Sequence, residues 1–353
     1  MRDDLRAQVG AVLAKVRARR VGLVVGVHAD GETAYWHRGL LPNGPDTIFE
    51  IGSITKTFTA TVLADMARDR VVALDDPVQR HLPSSMRVPV RGRVVTLEDL
   101  ASHRSGLPRL PKGLLLAGLT RDRRDPYAKV DEARLAAAVV ATRPRREPGR
   151  RVAYSNYGMG LLGHALAFRA GATYEELVRT RICEPLGLAD TWVEIPEPER
   201  WRIATGHTWR RGRTPPWNMA ALVGAGGLRS TAQDLLVFLG LHTAAPGSSL
   251  AAAAAETARA RAAWRRVEIG LGWLIVSPGR RLPRRRLRPR LLLHEGGTGG
   301  FRSFAGVIPE RDVRVVVLAN QARSVGRIGL RLLDLGSDLA FAHGATARSD
   351  LVT

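Results

Sequence analysis

A chain of 353 residues, 45% hydrophobic and 25% charged, is long enough to bury a large core and has the composition of an ordinary globule, which excludes fibrous and disordered classes. Its formal net charge is +21, but all but four of the 54 basic residues are arginine; a phosphate-binding surface has little reason to avoid lysine, so arginine-favouring coding explains the excess better than a nucleic-acid partner does. The single cysteine, Cys183, rules out an internal disulfide and reads as a buried packing residue.

At the N-terminus Leu5, Val9, Val12, Leu13 and Val16 mark one face of an amphipathic helix, with no continuous apolar signal segment. No run approaches the roughly 18 apolar residues that cross a bilayer, so the expectation is a soluble, cytoplasmic protein without a membrane partner. Val21 to Ala29 and Glu32 to Gly39 read as strands around an Asp30-Gly31 turn, the start of an antiparallel sheet. Ile51 to Met66 reads as a helix, Val71 to Pro83 as a hairpin-like link, and Leu97 to Trp192 as mainly helical with Gly and Pro punctuation. A glycine turn from Gly224 leads into a helix capped at Ser230 or Thr231 and ending at Leu241, and an alanine-rich helix is predicted over Leu250 to Trp264.

Strand-like runs return at Leu271 to Val276, Arg290 to His294, Phe301 to Ile308 and Val313 to Asn320, before a last helix over Gly326 to Ala342. Strands at both ends with helices between predict an α+β fold, one antiparallel sheet built from both chain ends with an inserted helical lobe. The expected organisation is a single catalytic domain over 1–345, its sheet lobe about 1–52 and 225–345 and its helical lobe about 53–224. The arginine-rich segment Pro278 to Arg290 reads as a solvated loop, with an anion-binding arm as the sharper alternative.

Three stretches can carry chemistry. In FEIGSITKTFTATVLAD, Ser53 and Lys56 lie three apart, on one face of a helix, so a hydroxyl and an amine can meet. A helix N-terminus would favour an anionic serine oxygen and a depressed lysine pKa. The plainer account, an N-cap serine and a surface lysine, stands level with it on these residues alone, although a first-turn lysine opposes the dipole. Tyr154 and Asn156 form the one Tyr-x-Asn of the chain, offering a phenol for proton transfer and an amide to orient a carbonyl or bridge to Lys56; a buried tyrosine beside a capping asparagine is the alternative. In LLLHEGGTGGFRSF, His294 and Glu295 precede Gly296 and Gly297, where a strand edge can approach a ligand and present N–H groups, or simply bulge beside a surface histidine.

In this order and spacing Ser-x-x-Lys, Tyr-x-Asn and His-x-Gly resemble the three motifs of the serine β-lactamase and DD-peptidase superfamily. The likeness is greatest to the branch of class C β-lactamases, D-alanyl-D-alanine carboxypeptidases, esterases and transacylases. LASHRSGLP, EPLGLADTW, GGLRSTAQDL and VVVLAN look like its further landmarks. The resemblance implies a β-lactamase/transpeptidase-like fold and an acyl-enzyme mechanism: Ser53 as nucleophile, Lys56 and Tyr154 sharing proton transfer, Asn156 holding substrate, the Ser53 and Gly297 N–H groups forming an oxyanion hole, and His294 tuning charge. It implies no cofactor or metal.

The third motif departs from Lys-Thr-Gly, with His294 for the lysine and Glu295 for the threonine, and Gly226 stands where class C enzymes carry an aromatic wall. These departures point away from efficient β-lactam hydrolysis and toward an ester, amide or short-peptide substrate. Transfer to an amine or alcohol by a transacylase is the alternative, and an inactive binding protein on the same fold the reading of another class. An acidic carrier protein is the partner that the arginine surface would suit.

Overall fold

The computed structural model describes residues 2–16, 21–111, 125–243, 247–277 and 289–349, with side chains described between residues 6 and 338 of those ranges. Ten strands are present: β1 (Gly22–Ala29), β2 (Glu32–Gly39), β3 (Phe49–Glu50), β4 (Arg229–Ser230), β5 (Ala262–Trp264), β6 (Val267–Ile269), β7 (Leu274–Val276), β8 (Leu291–Gly297), β9 (Arg302–Ile308) and β10 (Val313–Ala319). Eight of them form one antiparallel sheet in the order β2-β1-β10-β9-β8-β7-β6-β5, and β3 pairs with β4 alone. The two ends of the chain meet inside the sheet, where Val25 of β1 lies opposite Val317 of β10, as expected for a sheet built from both termini.

Both faces of this sheet are covered, so β1 and β10 are apolar at nearly every position. Alternation divides their side chains. Val24, Val316 and Leu318 enter the larger core with the interior helices, while Val25, Val27, Val315 and Val317 pack against Val9, Ile328 and Leu332. Val9 lies on α1 (Arg2–Ala14). Ile328 and Leu332 belong to the last helix, Gly326–Ser349. Among the described residues no helix is long and apolar enough to cross a membrane.

The central helix α2 (Thr55–Arg68) is buried around its whole circumference from Thr55 to Met66, as suits a helix caught between sheet and helical layer. Its threonines are tolerated there because each hydroxyl returns to the backbone: Thr57 to the Ile54 carbonyl at 2.8 Å, Thr59 to Thr55 at 3.2 Å and Thr61 to Thr57 at 2.9 Å.

Two elements differ from the sequence reading. The alanine-rich helix ends at Thr257, and Ala262–Trp264 is a strand. Arg265, at φ 55°, turns the chain so that Trp264 pairs with Val267, and the ladder overrides alanine's helix preference. The stretch after α2 holds a 3-10 turn at Val78–His81 in place of a hairpin; its strand-like contact is a bridge from Pro77 to Thr96, outside the segment. Residues 278–288 of the arginine-rich segment lie outside the described residues.

Candidate active site

Ser53 sits in a 3-10 turn, Gly52–Ile54, between β3 and α2. Gly52 has φ 51°, and a Cβ there would stand 2.6 Å from the Gly297 nitrogen, so glycine is required both for the turn and for the approach to β8. The Ser303 hydroxyl donates to the Ile51 carbonyl at 2.7 Å and ties the same turn to β9. The turn that carries the nucleophile candidate is thus held against the interior strands β8 and β9.

Ser53 caps nothing: neither the turn nor α2 has a side-chain cap. Its Oγ instead accepts from Lys56 Nζ at 2.9 Å and from Tyr154 Oη at 2.8 Å. Lys56 is no surface lysine, being fully buried, and also donates to the Ala225 carbonyl. Burial lowers its pKa, with the Arg109 guanidinium pushing the same way against the opposing pull of Tyr154. For Tyr154, burial works to raise the phenol, but the Lys56 charge, hydrogen bonds with Lys56 and Ser53, and Arg109 outweigh it and hold the group below its ordinary value. Lys56 Nζ lies 5.1 Å and Arg109 Cζ 5.3 Å from the Tyr154 ring centroid. A hydroxyl between two groups that each lose a proton more easily than usual can be deprotonated and can return that proton to a leaving group.

Tyr154 precedes a second long helix, Asn156–Ala170, whose N-cap is Ser155, not Asn156. The Ser155 hydroxyl accepts from Gly158 N at 2.8 Å and donates to the Pro108 carbonyl at 2.7 Å, binding the helix start to the SGLP loop. Asn156 is therefore free for other work. Its amide donates to Tyr127 Oη at 3.0 Å and forms no bridge to Lys56, while its Oδ1 is buried and unpartnered among the described residues.

His294 is brought to the site but cannot supply a cation there. Burial and the nearby Lys56 charge lower its pKa to about 3. Its Nδ1–H donates to the Glu295 carbonyl at 2.9 Å, which leaves Nε2 as an acceptor. His103, missed in the sequence, has its pKa lowered chiefly by burial and then by the Lys56 charge, its Nδ1 accepting from Ser155 N at 3.3 Å. Its ring centroid lies 4.6 Å from that of Tyr154. Strand alternation turns Glu295 to the side opposite buried His294, where its carboxylate lies against Gly326 at the start of the last helix. Partial desolvation raises its pKa. Gly296 packs against the Ile51 carbonyl and Ser303 hydroxyl, and Gly297 faces Gly52.

Of these residues Ser53, His103, Tyr154, His294, Glu295, Gly296 and Gly297 line a cleft of about 640 Å³, whereas Lys56 and Asn156 are not among its lining residues. Sequence patterns did not mark Arg109, Trp217, Trp264 or Trp273, which also line it and belong to none of the three stretches, nor Arg302, which lies within the third stretch but was given no role there. Trp217 packs on Tyr127 at 5.3 Å between centroids and its backbone N–H donates to buried Glu50 at 2.8 Å. Tryptophan thus supplies an aromatic wall although residue 226 is glycine.

A model of the beta-lactamase family matches residues 5–335. The D-alanyl-D-alanine-carboxypeptidase/endopeptidase AmpH of Escherichia coli (strain K12) is 30% identical over 296 residues, covering 78% of this chain and 72% of its own. Among solved structures, the class C beta lactamase from Rhodobacter sphaeroides superposes with a TM-score of 0.75 at 28% identity, covering 97% of this chain and 99% of its own. The D-alanine carboxypeptidase AmpC from Burkholderia cenocepacia does so at 0.77 and 25%, covering 95% and 99%.

Proposed function

We propose, from the premise that this chain belongs to the beta-lactamase family of acyl-enzyme serine hydrolases, that it cleaves an ester, amide or short-peptide bond through an acyl intermediate on Ser53. The observation that carries the reading is the double hydrogen bond to Ser53 Oγ from buried Lys56 and from Tyr154. In the first step Ser53 Oγ bonds to the carbonyl carbon while its proton passes to the neutral amine of Lys56 or the phenolate of Tyr154. The oxyanion is held by the Ser53 and Gly297 N–H groups. Collapse breaks the bond to the leaving group, which takes up a proton from the same pair. Water then attacks the ester and restores Ser53.

By resemblance to the family Asn156 holds the substrate, and its unpartnered Oδ1 suits an N–H donor such as a peptide or acylamino group, although that atom is buried and Asn156 is not among the residues lining the cleft. Neutral His294 removes the cation that Lys-Thr-Gly motifs offer to a β-lactam carboxylate. That favours an ester, amide or peptide substrate whose binding does not depend on a third-motif cation over β-lactams. The name of the AmpH relative supports a peptide substrate.

Intact mass spectrometry after incubation with activated esters, D-amino-acid amides and β-lactams tests this. The wild-type protein is expected to gain one acyl mass and Ser53→Ala none. No adduct and no turnover with every activated ester would sink the covalent mechanism.

A further inference from the structure

Glu50 is a buried carboxyl just before the Ser53 turn, tied to two parts of the cleft that it does not itself line. It ends β3 opposite Arg229 of β4 and is 5% exposed. Its Oε1 accepts from the Trp217 N–H at 2.8 Å. Arg229, across the ladder, directs its guanidinium to carbonyls: Nη2 donates to Trp217 at 2.9 Å and Nη1 to Val193. The main chain of Trp217 is thus gripped at both its N–H and its carbonyl, and the next N–H, of Asn218, donates to Asp125 at 2.7 Å.

The second carboxyl oxygen, Oε2, is buried and unpartnered among the described residues, and so is the Thr298 hydroxyl. Thr298 directly follows Gly297, and both Thr298 and Trp217 line the cleft with Ser53. The Thr298 main chain is already committed, its N–H to the Phe301 carbonyl at 3.2 Å and its carbonyl to Arg302 at 2.7 Å, which leaves the hydroxyl. Burial raises the Glu50 pKa against the pull of Thr298, the Trp217 N–H and Arg229, so the carboxyl keeps its proton to higher pH than usual. A neutral acid accepts at one oxygen and donates at the other, and the Thr298 hydroxyl is the acceptor that matches it. An apolar residue of similar size would spare the fold a buried polar oxygen, so stability does not account for an acid here; what it holds does.

We infer that Glu50 is a positioning residue for acylation, holding Trp217 by its main chain and Thr298 by its hydroxyl so that the aromatic wall and the end of β8 keep one separation around the substrate. The inference rests on the acyl-enzyme reading of Ser53. Glu50 acts from behind the cleft lining and not on the reacting atoms, so its effect falls on binding and not on proton transfer.

Single-turnover acylation of Ser53 by activated esters gives a half-saturating concentration and a limiting rate for each variant. Glu50→Leu is expected to raise the half-saturating concentration about fivefold or more and to leave the limiting rate within about threefold, the split that follows when binding geometry and not chemistry is lost. Glu50→Gln, which can accept from Trp217 and donate to Thr298, is expected to restore most of the loss, and Thr298→Val to repeat part of it. In a Trp217→Ala background Glu50→Leu is expected to change the half-saturating concentration by less than about twofold, since the wall it positions is gone, whereas a general loss of stability would carry over unchanged. If Glu50→Leu does not fold, Thr298→Val measured in both backgrounds takes its place. Full additivity across the two backgrounds, a wild-type half-saturating concentration in Glu50→Leu, or a Glu50→Gln variant no better than Glu50→Leu overturns the inference while the acyl-enzyme stands. Failure of every ester to acylate Ser53 overturns both.

Discussion

Tyr154→Phe isolates one of the two groups bonded to Ser53. The substitution deletes the oxygen that donates to Ser53 Oγ at 2.8 Å and leaves the Lys56 contact at 2.9 Å in place. A positioned acid–base group contributes about 10²–10⁴-fold, equivalent to about 3–5 kcal/mol of barrier. The fold, by contrast, loses the phenol's hydrogen bonds with Ser53 and Lys56, about 1 kcal/mol each. The ring, its packing on His103 and its contact with Arg109 all remain. Acylation by an activated ester should therefore fall by two to four decades while thermal stability changes little. The pH profile then separates the two bases. Both groups have depressed pKa values and each acts as a base only after losing a proton, so the wild-type rate rises with pH through their titration. If neutral Lys56 is the base, the rising limb survives in Tyr154→Phe; if the phenolate is, the limb disappears. A rate within about threefold of wild type, against the decades expected of a proton-transfer group, would remove Tyr154 from the chemistry. A collapse in melting temperature would show that the hydroxyl is chiefly structural.

The buried histidines should set an acid limb of stability. With the pKa of His294 lowered from 6.5 to about 3, the unfolded chain takes up its proton first, so stability is present above 6.5 and drains as pH falls toward 3. Melting curves across that window should flatten in His294→Asn, and an unchanged slope would refute the neutral assignment. Gly296→Ala places a methyl against the Ile51 carbonyl and the Ser303 hydroxyl; overpacking of about 1–3 kcal/mol is expected, read as a lower denaturation midpoint together with slower acylation of Ser53. A variant with wild-type midpoint and rate would show that β8 and the Ser53 turn are not as tightly coupled as these contacts imply.

How much of the site could be read from residues alone follows from how local each contact is. Ser53 and Lys56 meet because a helical turn brings positions three apart to one face, and the spacing is visible in a single line of sequence. The choice between cap and nucleophile was not visible there, since it depends on Tyr154 arriving from a hundred residues away and on Ala225 accepting the lysine from the other side. The paired sheet ends were legible from apolar runs such as VGLVVGVHA and VRVVVLAN, whose length and β-branching leave little alternative. The alanine run is helical as expected as far as Thr257, but the helix does not extend over Ala262 and Ala263: helix propensity is a weak prior, and a three-residue strand held by a neighbouring ladder outweighs it.

Charge is where pattern reading falls furthest short. A histidine in a lysine's place looks like a conservative exchange of one base for another, yet burial beside Lys56 makes it neutral. A glutamate in the next position is turned by alternation away from His294 and toward Gly326, yet it still lines the cleft. An arginine among fifty looks like composition, yet Arg302 lies over Gly297 and lines the cleft. The sign of the field that a substrate meets is therefore a property of burial and strand direction, and the family's third motif predicts substrate charge only when those two are known.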